Sequence, residues 1–311
     1  MVMPSLSWIV KIFHDRILIT LIFNFILMNF IKFSCTAALL ATSSLLAAAA
    51  APTVGWTGFY AGINGGYANA RNKVRTHVST LRTLPLPIAS PALGASTSVT
   101  AGTFSLSPTY QDFIGGGQVG YLYSLNHFVL GVETDIQGIT PGTKTSSAHQ
   151  IVPIPRATTS KIESNLALTQ DIDYLGTVRG RLGILATPSL LFAATGGYAY
   201  GGTRLDAELA QNYLGTANNL VKRFTSDVHS SSTRSGWTVG GTLEWRYQGQ
   251  WSTKLEYLYY DLGSKTYNAT PLVSMINGGP NAGDAFFVNA VSATSQFNGH
   301  VVRLGINHLF A

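Results

Sequence analysis

The chain has 311 residues, a net charge of +6, only 11% charged residues and 32 glycines. That length admits one or two soluble domains, or a single barrel with large loops. Beyond Pro52 no apolar run reaches the roughly 20 residues that a helical membrane span needs, and the sparse, dispersed charge argues against nucleic-acid binding.

Residues 1–50 read as a signal peptide region. Lys32 supplies its positive end, Ala37–Leu46 its apolar stretch and Ala47–Ala51 the small residues of a cleavage site. Residues 1–27 have no evident role, and Met28 is read as the true start. The alternative is a two-part leader, because Ile17–Ile31 is itself apolar. The one cysteine, Cys35, precedes the apolar stretch instead of ending it, so it is no lipoprotein site. An exported chain without Cys35 has neither disulfides nor thiol chemistry. Residues 51–311 are expected to form one domain.

That domain alternates apolar segments with connections of two very different lengths. Eight strands are predicted at Trp56–Ala68, Asp112–Ser124, His127–Ile139, Ile172–Leu185, Ser189–Gly202, Ser235–Tyr247, Trp251–Gly263 and Gln296–Phe310. The connections at Leu125-Asn126, Ala186-Thr187-Pro188 and Gln248-Gly249-Gln250 are short. The other four run to about 30–45 residues, a rhythm that fits outer-membrane barrels with short periplasmic turns and long outer loops. The expected fold is all-β: an eight-stranded antiparallel up-and-down transmembrane β-barrel with four long extracellular loops. Pro85–Thr100, rich in Ser, Thr, Ala and Pro, reads as flexible and accessible.

Alternate residues of a strand face opposite sides. In the third predicted strand Phe128, Leu130, Val132 and Ile136 share one face, with Glu133 and Asp135 on the other. The fourth, sixth, seventh and eighth segregate likewise, placing Arg179, Arg181, Glu244, Arg246, Lys254, Glu256 and Arg303 opposite the apolar side. A charge on the lipid side at mid-depth costs about 2–4 kcal/mol, which explains the segregation. Trp237, Trp245, Tyr247, Trp251, Tyr257 and Tyr259 cluster at the ends of apolar faces, as interfacial girdles do. Eight strands leave a lumen that side chains can fill. The nine inward charges, five positive and four negative, are therefore expected to form a plugging salt-bridge network.

The opening Trp56-Thr-Gly58-Phe-Tyr60-Ala-Gly62-Ile-Asn-Gly-Gly66-Tyr67 resembles that of the small outer-membrane β-barrel proteins of alphaproteobacteria. These are the porin-opacity type, comprising major surface antigens and hemin-binding relatives. Gly115–Tyr121, Gly131–Asp135, Tyr174–Gly183, Lys254–Tyr257 and Val301–Asn307 are similar to the same family, while the long connections are not. The resemblance implies an outer-membrane location, contact with lipid and lipopolysaccharide, and insertion by the barrel-assembly machinery through a terminal aromatic, here Phe310. Ala311 follows it, and His308 stands where an aromatic is commoner. A monomer is the favoured state.

The best-supported role is a structural and surface-interacting envelope protein. A heme receptor and a narrow porin are the alternatives. His77, His149 and His229, all in the long connections, are the candidate heme or metal ligands, and no cofactor is otherwise implied. Asp112, Asp171, Asp173 and Ser235 lie near the outer rim with no histidine beside them in sequence, so an enzyme is not expected. Arg71, Lys73, Arg75 and Arg82 precede any acid up to Asp112. They read either as a solvated basic loop or as an attraction for lipopolysaccharide phosphates.

Overall fold

A computed structural model describes residues 55–83, 90–140, 145–157, 159–215, 218–247, 249–275 and 285–310. The leader, with Met28, Cys35 and the cleavage site, lies outside them, as does Ala311. In chain order the elements are β1 (Gly58–Arg71), β2 (Val74–Thr83), α1 (Ser90–Gly102), β3 (Ser105–Leu106), β4 (Thr109–Leu125), β5 (Phe128–Ile139) and β6 (Thr145–Pro153). There follow β7 (Lys161–Thr187), β8 (Leu190–Leu214), β9 (Leu220–Arg246), β10 (Trp251–Asn268), β11 (Leu272–Met275) and β12 (Ala285–Phe310).

Eight of these strands form a ring in the order β1-β4-β5-β7-β8-β9-β10-β12. The ring closes because β1 pairs with β12 as well as with β4, through registers such as Gly66↔Arg303 and Tyr60↔Gly120. Every pairing is antiparallel, as expected for strands joined in sequence. Closure leaves no edge in the apolar zone, where an unpaired backbone group would cost several kcal/mol.

The wall is inverted relative to a water-soluble protein. Phe59, Ile63, Val132, Val178, Leu182, Leu304 and Phe310 all point outward and are 52% or more exposed. Water around so much contiguous apolar surface would be strongly unfavourable, and hydrocarbon is the medium it suits. Aromatic side chains bound this belt at both ends. One end carries Trp237 against Tyr259 at 5.4 Å and Tyr174 against Tyr200 at 6.5 Å. The other carries Phe59–Tyr121, Trp245–Tyr247 and Trp251–His308 at 4.7, 5.7 and 4.7 Å. His308 also packs edge-on to Phe310 at 4.8 Å, so the imidazole fills an aromatic position of the girdle.

The long outer connections are themselves built largely of strand. β7, β8, β9 and β12 run for 27, 25, 27 and 26 residues and carry the sheet well past the upper girdle. β8 and β9 stay paired up to Leu214↔Leu220, which reduces one supposed loop to a tight turn. β6 pairs back on β7, β11 on β12, and β2 on the upper part of β12. Above the lipid boundary both faces of a strand meet polar surroundings or a mixed core, so the apolar alternation that marks a strand fades there.

Of Pro85–Thr100, read from the sequence as flexible and accessible, residues 85–89 lie outside the described residues and the remainder is corrected. Residues 90–102 form α1, which packs against β2, β6, β7, β8 and β12 inside this crown of strands. Ser98 is fully buried and donates to Gln211 Oε1 at 2.6 Å, while Asn289 Nδ2 donates to Ser98 Oγ at 2.9 Å. Gln150 Nε2 reaches the carbonyls of Thr100 and Ala101, satisfying acceptors at the helix end. Val78, Ala95, Phe104, Leu166, Leu209, Phe224, Phe287 and Val291 form the apolar core around it.

Candidate functional site in the barrel lumen

The lumen is built in layers along the barrel axis, and the strand registers place each one. At the end with the short turns, Trp56, Tyr60, Leu122, Val129, Leu191 and Leu309 pack together. Trp56 is held by a bond from its Nε1 to the Pro188 carbonyl at 2.9 Å. Towards the crown, Ile114, Leu175, Leu205, Tyr260, Leu262 and Phe297 belong to a second apolar layer. Between the two lies an ionic cluster whose side chains are at most 3% exposed.

Arg179 is the hub of that cluster. Its guanidinium donates to Glu256 Oε1 at 2.7 Å, to Asp135 Oδ2 at 2.7 Å and to Glu133. Arg303 donates to Asp135 at 2.7 Å and to Glu256 at 2.5 Å. Arg181 donates to Glu244 at 2.8 Å, to Glu133 at 3.1 Å and to the Tyr60 hydroxyl at 2.9 Å. Lys254 Nζ donates to both oxygens of Glu133, at 2.9 and 2.8 Å. Neutral groups complete the shell. Tyr60 donates to Glu133, Thr177 to Asp135 at 2.8 Å, and Ser252 and Asn307 to Glu244 at 2.6 and 2.9 Å. Every carboxylate thus has several donors, the condition under which buried charges can coexist.

Eight of the nine charges named from the sequence meet in this cluster, four basic and four acidic. Arg246 does not share it. Its guanidinium stacks on the Trp56 ring at 4.1 Å and donates to the Gly55 carbonyl at 3.0 Å, at the short-turn mouth. The sequence groups Arg246 with the inward charges and does not show the tryptophan at the mouth on which it stacks. Tyr60 and Asn307, which join the cluster directly, were not named for that role. The inward alternation of both residues was the available sign.

The opening motif acquires a physical role in this frame. Trp56 caps the lumen, and Tyr60 bridges Glu133 and Arg181. Gly58 adopts φ 150°, within the region that favours glycine, where the chain enters β1. Gly62 and Gly66 leave room for Asn307 and Arg303 across the closing seam, and Tyr67 joins the outward belt at 45% exposure.

The three candidate heme histidines do not come together. His77, His149 and His229 lie on β2, β6 and β9, strands that do not neighbour one another in the sheet, and all three point outward. His149 pairs with Glu163 and His229 with Asp206, both at 3.0 Å. Bonds from Asn212 and then His149 hold the Glu163 carboxyl below the usual range. Among the described residues no group of three His, Cys, Asp or Glu side chains could hold a metal ion. Of the rim residues, Asp112 and Asp171 line an interior cleft of about 20 Å³ with Tyr110, Gln170 and Tyr260, room for about one water. Asp173 and Ser235 are exposed and line no part of it.

Residues 37–290 match the family model for the outer membrane protein beta-barrel domain. The chain is 33% identical over 288 residues to the 31 kDa outer-membrane immunogenic protein of Brucella melitensis, covering 88% of this chain and 96% of that one. The protein of the same name from Brucella suis matches equally. Among solved structures, Ail of Yersinia pestis aligns at 9% identity and a TM-score of 0.25, over 79% of this chain and 99% of Ail. The outer membrane protease OmpT of Escherichia coli aligns at 10% identity and 0.28, over 81% and 97%. Scores this low assign no activity.

Proposed function

This chain belongs to the outer membrane β-barrel protein family and is an outer-membrane protein, and from that premise we propose that it serves as a sealed, non-catalytic envelope component that presents its strand crown at the cell surface. The observation that carries this reading is the filling of the interior. Two apolar layers enclose a balanced ionic cluster, and α1 with its own core closes the crown above them. Ions entering such a lumen would have to displace charge pairs already satisfied by one another. Contact with lipid and lipopolysaccharide, insertion by the barrel-assembly machinery and a monomeric state complete the proposal. The cleaved leader over residues 1–50 and the barrel domain over 51–311 remain part of it.

Conductance tests the seal. The refolded protein in a planar bilayer should show no stable ion current, and a large steady conductance would replace this reading with that of a narrow porin. Labelling tests the presentation. Asn219 sits exposed at the β8–β9 tip, and His127 lies in the short turn between β4 and β5. In whole cells an impermeant thiol reagent should label Asn219→Cys and leave His127→Cys untouched, because the side of the barrel with the longer excursions beyond the membrane faces outward in this class. Equal labelling would overturn the orientation.

The surface role draws on the relatives named as immunogenic proteins. The separation of His77, His149 and His229 gives no specific support to a heme receptor built from those three residues.

A further inference from the structure

We propose that the outward face of β1, β2 and β12, directly above the aromatic girdle, docks the phosphate groups of the outer-leaflet glycolipid, with Lys73 and Arg75 as its principal contacts. The inference rests on the outward orientation of the crown.

Register places these groups. In β2 the alternate residues Val74, Thr76 and Val78 turn inward and are at most 4% exposed. Arg75 and His77 therefore face outward, and both are exposed, as is Lys73 immediately before β2. The same outward column begins lower on β1 with Tyr67 and Asn69, opposite Val302 and His300 of β12. Tyr257 and Tyr259 flank those two residues on β10, and the Tyr257 hydroxyl bonds His300 Nδ1 at 2.7 Å. The column thus climbs from an apolar wall, through an aromatic boundary, straight into cations. Arg75 is paired with Thr294, whose hydroxyl meets that of Thr266 at 2.8 Å, so hydroxyls line the adjacent column.

Charge sorts itself around the crown. β1, β2 and β12 contain no Asp or Glu at all. On the far side, β7, β8 and β9 mix Glu163, Asp171, Asp173, Asp206, Glu208 and Asp227 with cations such as Arg204 and Arg223. Asp261 of β10, opposite Asn298, stands at the edge of this face and accepts from the Gly263 N–H at 2.7 Å, so the cations of β2 rise from strands that carry no acid of their own. A phosphorylated glycolipid matches each level of that face. Its acyl chains fit the apolar wall, its sugars the hydroxyl and amide column, and its phosphates the basic column. The long Lys73 and Arg75 stems let their charges reach down towards the girdle. A basic pair near an anionic lipid surface is worth roughly 30-fold in affinity.

The test uses the refolded full chain in detergent, with bound lipid quantified by native mass spectrometry. The probes are diphosphoryl lipid A and the same lipid with its phosphates removed. The wild type should retain the diphosphoryl form and lose most binding to the dephosphorylated one. The exposed pair Lys73→Ser/Arg75→Ser should bind diphosphoryl lipid A about 30-fold more weakly while keeping its folded gel mobility. Removing two exposed cations from the acidic side, as in Arg204→Ser/Arg223→Ser, should leave binding unchanged. Equal binding of both lipids, or equal loss in both double variants, would overturn the proposal. Thiol labelling at Asn219 on cells reports the orientation separately, so failure of that premise is distinguishable from failure of the site.

Discussion

Replacing Arg179 with alanine should destabilise the folded barrel by about 3–5 kcal/mol, the usual consequence of removing one partner from a buried ion cluster. The side chain donates to three carboxylates, those of Glu133, Asp135 and Glu256. Its loss leaves four acidic groups against three basic ones in a space closed by apolar layers at both ends. Glu256→Ala should cost a similar amount, because it strands Arg303 Nε and leaves Arg179 Nη1 only the Thr195 hydroxyl at 3.5 Å. The double variant restores the balance of charge, so its penalty should fall well short of the sum. Urea titration of the refolded protein, read by the gel shift between folded and unfolded forms, measures all three. Losses below about 1 kcal/mol in both single variants would mean that water already screens the cluster, as at an exposed pair. Arg223, which meets Glu208 only at 4.0 Å with both side chains 58% exposed, supplies the contrast, and Arg223→Ala should leave the midpoint where it is.

The second large effect falls on the seam where the ring closes. A methyl group on Gly66 would stand 2.2 Å from the Val302 carbonyl and 2.5 Å from Arg303 Cα. Both contacts are with the backbone of β12, which cannot swing aside as a flexible side chain could. Gly66→Ala should therefore force β1 and β12 apart, beyond the 1–3 kcal/mol of ordinary overpacking, and abolish the compact, heat-modifiable band. Its neighbour provides the control. Gly65 faces outward, with the Ile114 carbonyl 3.8 Å away as its nearest neighbour, so Gly65→Ala should assemble normally. Equal assembly of the two variants would show that the seam has slack and that Arg303 can retreat from it.

The membrane-embedded ring was legible from the residues alone, because lipid imposes a strict rule on each of them there. Val132 and Glu133 are adjacent in the chain, and the first is 61% exposed while the second is 1% exposed. No other environment makes that order favourable along five strands, so alternation alone was enough to place the faces and the inward charges. Phe310 and Trp56 could likewise be assigned to the ends of the ring from their positions beside it.

What stands above the girdle depends on long-range packing that no local pattern announces. In the upper part of β9, inward Phe224, Ser226 and Val228 alternate with outward Thr225, Asp227 and His229, a pattern too mixed to announce a strand. α1 has no acid in its first turn and no basic residue in its last, and it is built largely of Ser, Thr, Ala and Gly. Its helical form is secured by Gln150, Gln211 and Asn289, which arrive from strands 50 to 190 or more residues distant. The pairing inside the lumen was hidden for the same reason. Inward alternation names which charges share the interior. Whether Arg246 meets a carboxylate or the face of Trp56 depends on where the closed ring sets their levels, and that level is a property of the register, not of the local sequence.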